Sequence, residues 1–318
     1  MSPTLWWFMA SGGPQEWMVL PTSTLVAARS PTSRHVAVYH PDASRDTMLV
    51  FGGWSYNGFF DTTSEFSFRL NLWLEDQQAQ VVPAPRSRHR SVQLGNTFLV
   101  FGGITVMGLV NDTWALSPVA SAYHGTQLAW SQLLPNGPAP SARYGHAMAA
   151  INGSHALVVG GHQDIFGSYA FLNDVWAAHM VTPTSSSSQP TVTWTLLQAN
   201  ASRSDAPVPR AFHACVVFER NAYVYGGFSF SGTGLPDFWR FSLDTLAWYQ
   251  VQLASAPPGR FAHTANVLFT PNDRQALMVI YGGARTTASF SLIGVGAIDL
   301  THIPDSFVNE LEETTNKE

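Results

Sequence analysis

The chain has 318 residues, 45% hydrophobic and only 12% charged, a balance that sustains a sizeable buried core and excludes a disordered chain. Its net charge of −5 has the wrong sign for a phosphate-gripping surface, and the arginines are scattered apart from a local group at Arg86, Arg88 and Arg90, so nucleic acid is excluded as a partner class. The only cysteine is Cys215 and the only lysine is Lys317, which removes internal disulfides, cysteine-rich metal modules, P-loop phosphate binding and core Schiff-base chemistry.

In chain order, residues 5–10 form a short apolar stretch without the basic lead of a secretory signal, and no apolar run approaches the roughly 20 residues that cross a bilayer. The expectation is a cytoplasmic chain with no membrane span, or an extracellular one if it belongs to a longer secreted or anchored protein. From there the sequence repeats itself. Apolar runs at 48–51, 98–101, 156–159, 223–225 and 277–281 each end in a glycine pair: Gly52-Gly53, Gly102-Gly103, Gly160-Gly161, Gly226-Gly227 and Gly282-Gly283. The pairs lie 50, 58, 66 and 56 residues apart, and the runs are short and rich in β-branched or aromatic residues, which predicts buried strands.

A second strand stands upstream of each run, opened by His35, His89, His146, His213 or His263. Four of these histidines follow an arginine by three residues, at Arg86, Arg143, Arg210 and Arg260, while the first repeat has Thr32 there. Turn signals such as Gly95-Asn96, Asn152-Gly153 and Pro271-Asn272-Asp273 connect the two strands as a hairpin. Downstream come an acidic residue and an aromatic, Asp61 with Phe66, Asp112 with Trp114, Asp174 with Trp176 and Asp237 with Trp239, which mark a third strand. Trp17, Trp73, Trp130, Trp194 and Trp248 open a fourth on the same period.

An Arg-x-x-His, an apolar run ending in Gly-Gly, an Asp-x-Trp and a later Trp, recurring over residues 5–300, resemble the Kelch repeat of the galactose oxidase-like propeller superfamily. The resemblance implies an all-β fold, a Kelch-type β-propeller of four-stranded blades in one domain over residues 1–300. On that reading the glycines admit close neighbours and Trp73, Trp130, Trp194 and Trp248 fill space between blades, so the repeated polar groups belong to packing rather than catalysis. Five blades are counted where the family usually has six or seven. Either this is a five-bladed ring, with strands near 5–20 completing the last blade, or it is part of a longer propeller. The fifth repeat lacks the acidic-aromatic pair. Residues 183–190, with four consecutive serines, read as a flexible insertion, and residues 301–318 as an acidic polar tail.

Function is then sought where the repeats differ, in the loops beyond the glycine pairs, which the resemblance makes a partner-binding face. Rigid rings among small polar residues suit protein recognition. The candidates are Trp54, Tyr56, Phe59, Phe60, His162, Phe166, Tyr169, Phe228, Phe230 and Arg285. A monomeric protein-interaction module with no cofactor is the leading expectation. The alternative is an enzyme or a small-molecule or carbohydrate binder using the central channel. His162 and Asp164 share a loop but lack a third converging ligand, so no metal site is assigned. Cys215 stands two residues after His213, on the same face of a strand, and reads as a small buried side chain rather than as a thiol-imidazole pair or the crosslinked cysteine of a copper radical oxidase. Asn-x-Ser/Thr triplets at Asn111, Asn152 and Asn200 occur about as often as chance provides.

Overall fold

The computed structural model describes residues 6–8, 17–19, 33–40, 46–74, 81–121, 125–165, 170–181, 191–200, 205–270, 275–287, 294–301 and 303. Every helix or strand among them is a β-strand, and none of them belongs to a helix that is long and apolar enough to cross a membrane. The serine-rich insertion and almost all of the acidic tail lie outside the described residues.

Each glycine-pair run is the second strand of an antiparallel meander. The first sheet orders Val36–His40, Thr47–Phe51, Thr63–Ser67 and Leu72–Leu74; the second orders Arg90–Leu94, Thr97–Phe101, Thr113–Ser121 and Gly125–Pro135. The third contains Ala147–Ala150, His155–His162, Phe171–Val181 and Thr191–Gln198, and a short parallel pairing of Leu134 with Thr191 and Pro135 with Val192 joins it to the second. Ala214–Phe218, Asn221–Tyr225, Phe238–Ser242 and Trp248–Gln250 make the fourth. The fifth has three strands among the described residues, Thr264–Phe269, Ala276–Tyr281 and Gly296–Asp299. The N-terminal strands Trp6–Phe8 and Trp17–Val19 pair with each other.

The chain divides into two compact units, residues 1–144, 152–155 and 178–194 in one and residues 145–151, 156–177 and 195–318 in the other. In the first, Val36, Leu49, Phe51, Phe98, Val100, Trp114, Leu116 and Trp130 form one apolar cluster. Its tryptophan reaches from the second sheet to the first: the Trp130 ring lies 4.8 Å from Phe51 and its Nε1–H donates to Thr63 Oγ1 at 3.0 Å. Trp194 lies likewise 4.9 Å from Phe101. Each buried indole removes roughly 150–250 Å² from water, worth about 4–6 kcal/mol before ordering costs. In the second unit, Trp248 packs with Leu157, Val159, Val175, Val224 and Phe241, and a further cluster joins Tyr225 and Phe238 to Met278, Ile280 and Ile298.

The four sequence markers work as one device. Arg86, fully buried, donates from Nη1 and Nη2 to Asp112 Oδ1 and Oδ2 at 2.6 and 2.7 Å, and from Nη1 to Gly102 O at 3.1 Å. Asp112 Oδ2 also accepts from Trp114 Nε1–H at 2.7 Å. The fourth repeat has the same set in Arg210, Asp237, Gly226 O and Trp239. The fifth lacks the carboxylate, and Arg260 donates instead to the carbonyls of Gly282 and Gly294 at 3.1 and 2.9 Å.

The two glycines of a pair have separate tasks. Gly52, at φ +66°, has the next repeat against it: a Cβ there would lie 2.8 Å from His89 Cε1 and 2.9 Å from Arg86 O. Gly103 faces its own repeat, where a Cβ would lie 2.8 Å from His89 Cβ. Neither spacing is one a real Cβ tolerates.

Candidate functional site

Beyond four of the five glycine pairs the chain is pinned by a backbone bridge. The first residue past the pair bridges back to the residue before the left-handed turn of its own repeat: Trp54 to Ser33, Ile104 to Ser87, Phe228 to Ala211 and Ala284 to Phe261. In the first unit the loops then fold into miniature ladders, Trp54–Ser55 against Gly58–Phe59 and Ile104–Thr105 against Gly108–Leu109. Their tips are held by side chains: Ser55 Oγ accepts from Asn57 N–H, and Thr105 Oγ1 accepts from Met107 N–H, both at 3.1 Å. The tips present Tyr56, Val106 and Met107, exposed at 100%, 77% and 92%.

Beside these tips lie two arginines that the repeat pattern does not announce. Arg34 and Arg88 immediately precede the repeated histidines, at φ +61° and +56°, and Arg88 N–H donates to Arg34 O at 3.0 Å. A left-handed non-glycine residue stores strain of roughly 1–3 kcal/mol, and Phe212 and Ala262 hold the same place and conformation in the later repeats. The Arg34 guanidinium lies 5.2 Å from the Trp54 ring centre, Tyr56 lies 6.0 Å from Trp54, and the Arg88 guanidinium lies 5.3 Å from the Tyr144 ring. Burial, and then the neighbouring Arg34 cation, lower the Arg88 pKa, while Tyr144 opposes them. Arg34 and Arg88 lie outside the loops beyond the glycine pairs, where the sequence places its candidates. The available signal was the position before each histidine, filled by Arg34, Arg88, Gly145, Phe212 and Ala262: a glycine among them points to a left-handed backbone whose side chain is free to vary.

Of the sequence candidates in this unit, Trp54 is half-buried beneath Arg34, Tyr56 stands out in solvent, and Phe59 and Phe60 are half-buried. Phe60 is also tied by its backbone to Gly53 and Arg86. In the second unit, Phe228 lies between Phe171 and Phe261, with ring centres 5.9 and 5.3 Å away, and Phe230, 54% exposed, lies 5.2 Å from Phe171. His162 is only 6% exposed, edge-on to Phe171 at 4.5 Å, and its Nδ1 accepts from Asp164 N–H, so the ring serves the turn. Arg285 is exposed, and its carbonyl accepts from Gly234 N–H at 2.7 Å. Phe166 and Tyr169 lie outside the described residues.

Two buried titratable groups, Cys215 and His89, are held in their neutral forms. Burial pushes the Cys215 thiol up to about 12, which leaves it protonated and non-nucleophilic at neutral pH. Burial, followed by Arg86, Arg90 and His35, holds His89 well below the usual imidazole range against the opposing pull of the Phe51 backbone carbonyl. Among the described residues no three His, Cys, Asp or Glu side chains converge as metal ligands would.

A Kelch-repeats domain family described for KLHDC2, KLHL20 and DRC7 matches residues 2–191 and 123–293. The chain is similar to an F-box/kelch-repeat protein of Arabidopsis thaliana, 27% identical over 66% of this chain and 41% of that protein. It is also similar to the host cell factor homolog hcf-1 of Caenorhabditis elegans, 26% identical over 84% of this chain and 33% of that protein, and to human host cell factor 2, 25% identical over 80% and 31%. It thus spans less than half the length of these relatives. The solved structure of YjhT superposes with a TM-score of 0.68 at 13% identity, covering 94% of this chain and 89% of that one, a likeness of fold.

Proposed function

The chain belongs to the Kelch-repeat family of β-propellers, and on that premise we propose that the hairpin tips beyond the first two glycine pairs dock a partner protein. The observation that carries this reading is apolar exposure on a fixed frame. Tyr56, Val106 and Met107 stand in water on two-residue ladders whose tips are closed by hydrogen bonds. Such a surface loses little conformational entropy on binding. The adjoining Arg34, Trp54 and Tyr56 are of the residue types that dominate binding hot spots. That longer relatives carry the same repeat in less than half their length supports its reading as one module of a larger assembly.

The test is site-specific photo-crosslinking in source cells, with a crosslinkable residue replacing Tyr56, Met107 or, on an outer strand of the third sheet, Leu196. The same partner captured from 56 and 107 but not from 196 is the expected result. Equal capture from all three, or capture from 196 alone, refutes the assignment.

A further inference from the structure

Two histidines outside the repeat pattern meet at the turn end of the third sheet. His155 opens the strand His155–His162 and His179 lies near the end of Phe171–Val181. Met180 N–H donates to Ser154 O at 3.0 Å and sets these strand ends side by side. The two imidazoles stack with centres 4.3 Å apart and planes 6° from parallel. His179 is exposed and His155 half-buried.

The turn beneath them engages one nitrogen of His155. Asn152 Oδ1 accepts from the backbone N–H groups of Ser154 and His155, both at 2.9 Å, and since these groups only donate, the atom they reach is the amide oxygen. His155 Nδ1 stands 3.1 Å from that same oxygen and 2.9 Å from Ser154 Oγ, which itself lies 3.2 Å from Asn152 Oδ1. In the tautomer that carries its proton on Nδ1, the ring donates to one of these two oxygens. The lone pair is then on Nε2, the nitrogen outside this network. This is how an outer-shell oxygen fixes a coordinating histidine. The Asn152-Gly153-Ser154 triplet therefore has an orienting task here.

We propose that His155 and His179 form a two-imidazole site for a divalent transition-metal ion, with Asn152 and Ser154 as positioning residues. Paired imidazoles favour zinc, copper or nickel over magnesium or calcium, which take oxygen ligands. Binding requires the two Nε2 atoms to come within about 3.4 Å, because each sits ~2.0–2.1 Å from a tetrahedral ion. Rotation of the exposed His179 ring out of the stack supplies that approach. Water, or a donor from a partner, fills the remaining positions.

The experiment titrates zinc and nickel chlorides into the untagged full chain by calorimetry and records the copper(II) electron paramagnetic resonance spectrum. Expected are one saturable site and nitrogen hyperfine structure from two imidazoles. His155→Ala and His179→Ala each weaken binding by tenfold or more and remove one nitrogen from the spectrum. Asn152→Ala weakens it by about 10- to 100-fold, as loss of an outer-shell partner does, with both nitrogens retained. Unfolding midpoints measured without metal confirm that the variants fold. No saturable binding below millimolar metal, or wild-type affinity in the His155→Ala/His179→Ala double variant, overturns the proposal.

Discussion

The guanidinium of Arg210 and the carboxylate of Asp237 are joined by two parallel hydrogen bonds of 2.6 Å, the arginine side chain 2% and the aspartate 20% exposed. Such a pair is costly to break, because the arginine keeps its charge while losing its counter-ion. Asp237→Asn is expected to cost about 3 kcal/mol, read as a lowered midpoint in urea unfolding with an unchanged slope. An unchanged midpoint would show that the carbonyl of Gly226 suffices to hold Arg210.

Acid acts in two steps of the same sign. At Asp112 and Asp237 burial raises the pKa, but the arginine and indole donors outweigh it and hold both below the usual carboxylate range. Their contribution is present above about pH 4 and fades below it. His89 is also depressed, so below about pH 6.5 the unfolded chain binds a proton that the folded one refuses, and stability falls by up to about 1.4 kcal/mol per pH unit. His89→Gln should flatten the decline between pH 6.5 and 5 in urea titrations; identical slopes would remove His89 from the account.

Gly226 and Gly282 hold the same place in successive repeats, at φ +66° and +70°. A Cβ on Gly226 would collide with Arg260 O, whereas among the described residues nothing lies within 4 Å of one on Gly282. Gly282→Ala is therefore expected to cost only the left-handed strain of about 1–2 kcal/mol. Gly226→Ala adds a backbone collision and should lower the thermal midpoint by at least twice as much. Equal losses in calorimetric scans would mean that the conformation alone decides.

Cys215 is expected to resist iodoacetamide in the native protein at pH 8, since its thiol is buried and pushed up to about 12, and to react at once in denaturant. Mass spectrometry of the intact chain reads the difference. Stoichiometric labelling of the native protein would refute the burial of this thiol.

The hairpins and the glycine pairs are legible in the sequence because their causes are local: the run at 98–101 becomes Thr97–Phe101, and the turn at Gly95-Asn96 connects it to Arg90–Leu94. The alliance of Arg86 with Asp112, 26 residues on, is legible only as a recurrence, since spacing says nothing of which side chain touches which. The proposed binding face is harder still. Phe59 and Met107 are both apolar residues of loops after glycine pairs, yet one is half-buried and the other 92% exposed, because each is set by its place in a two-residue ladder. His155 and His179 are 24 residues apart and meet only through strand register, which no composition or period reveals.

The fit of Gly52 against His89 and of Gly226 against His263 runs one way along the chain, the earlier repeat offering a socket and the later one a plug. A duplicated repeat would bring both halves of this joint with it. A break placed between a glycine pair and the next arginine would instead separate socket from plug, which makes that connection the poorest place to divide or splice such a protein.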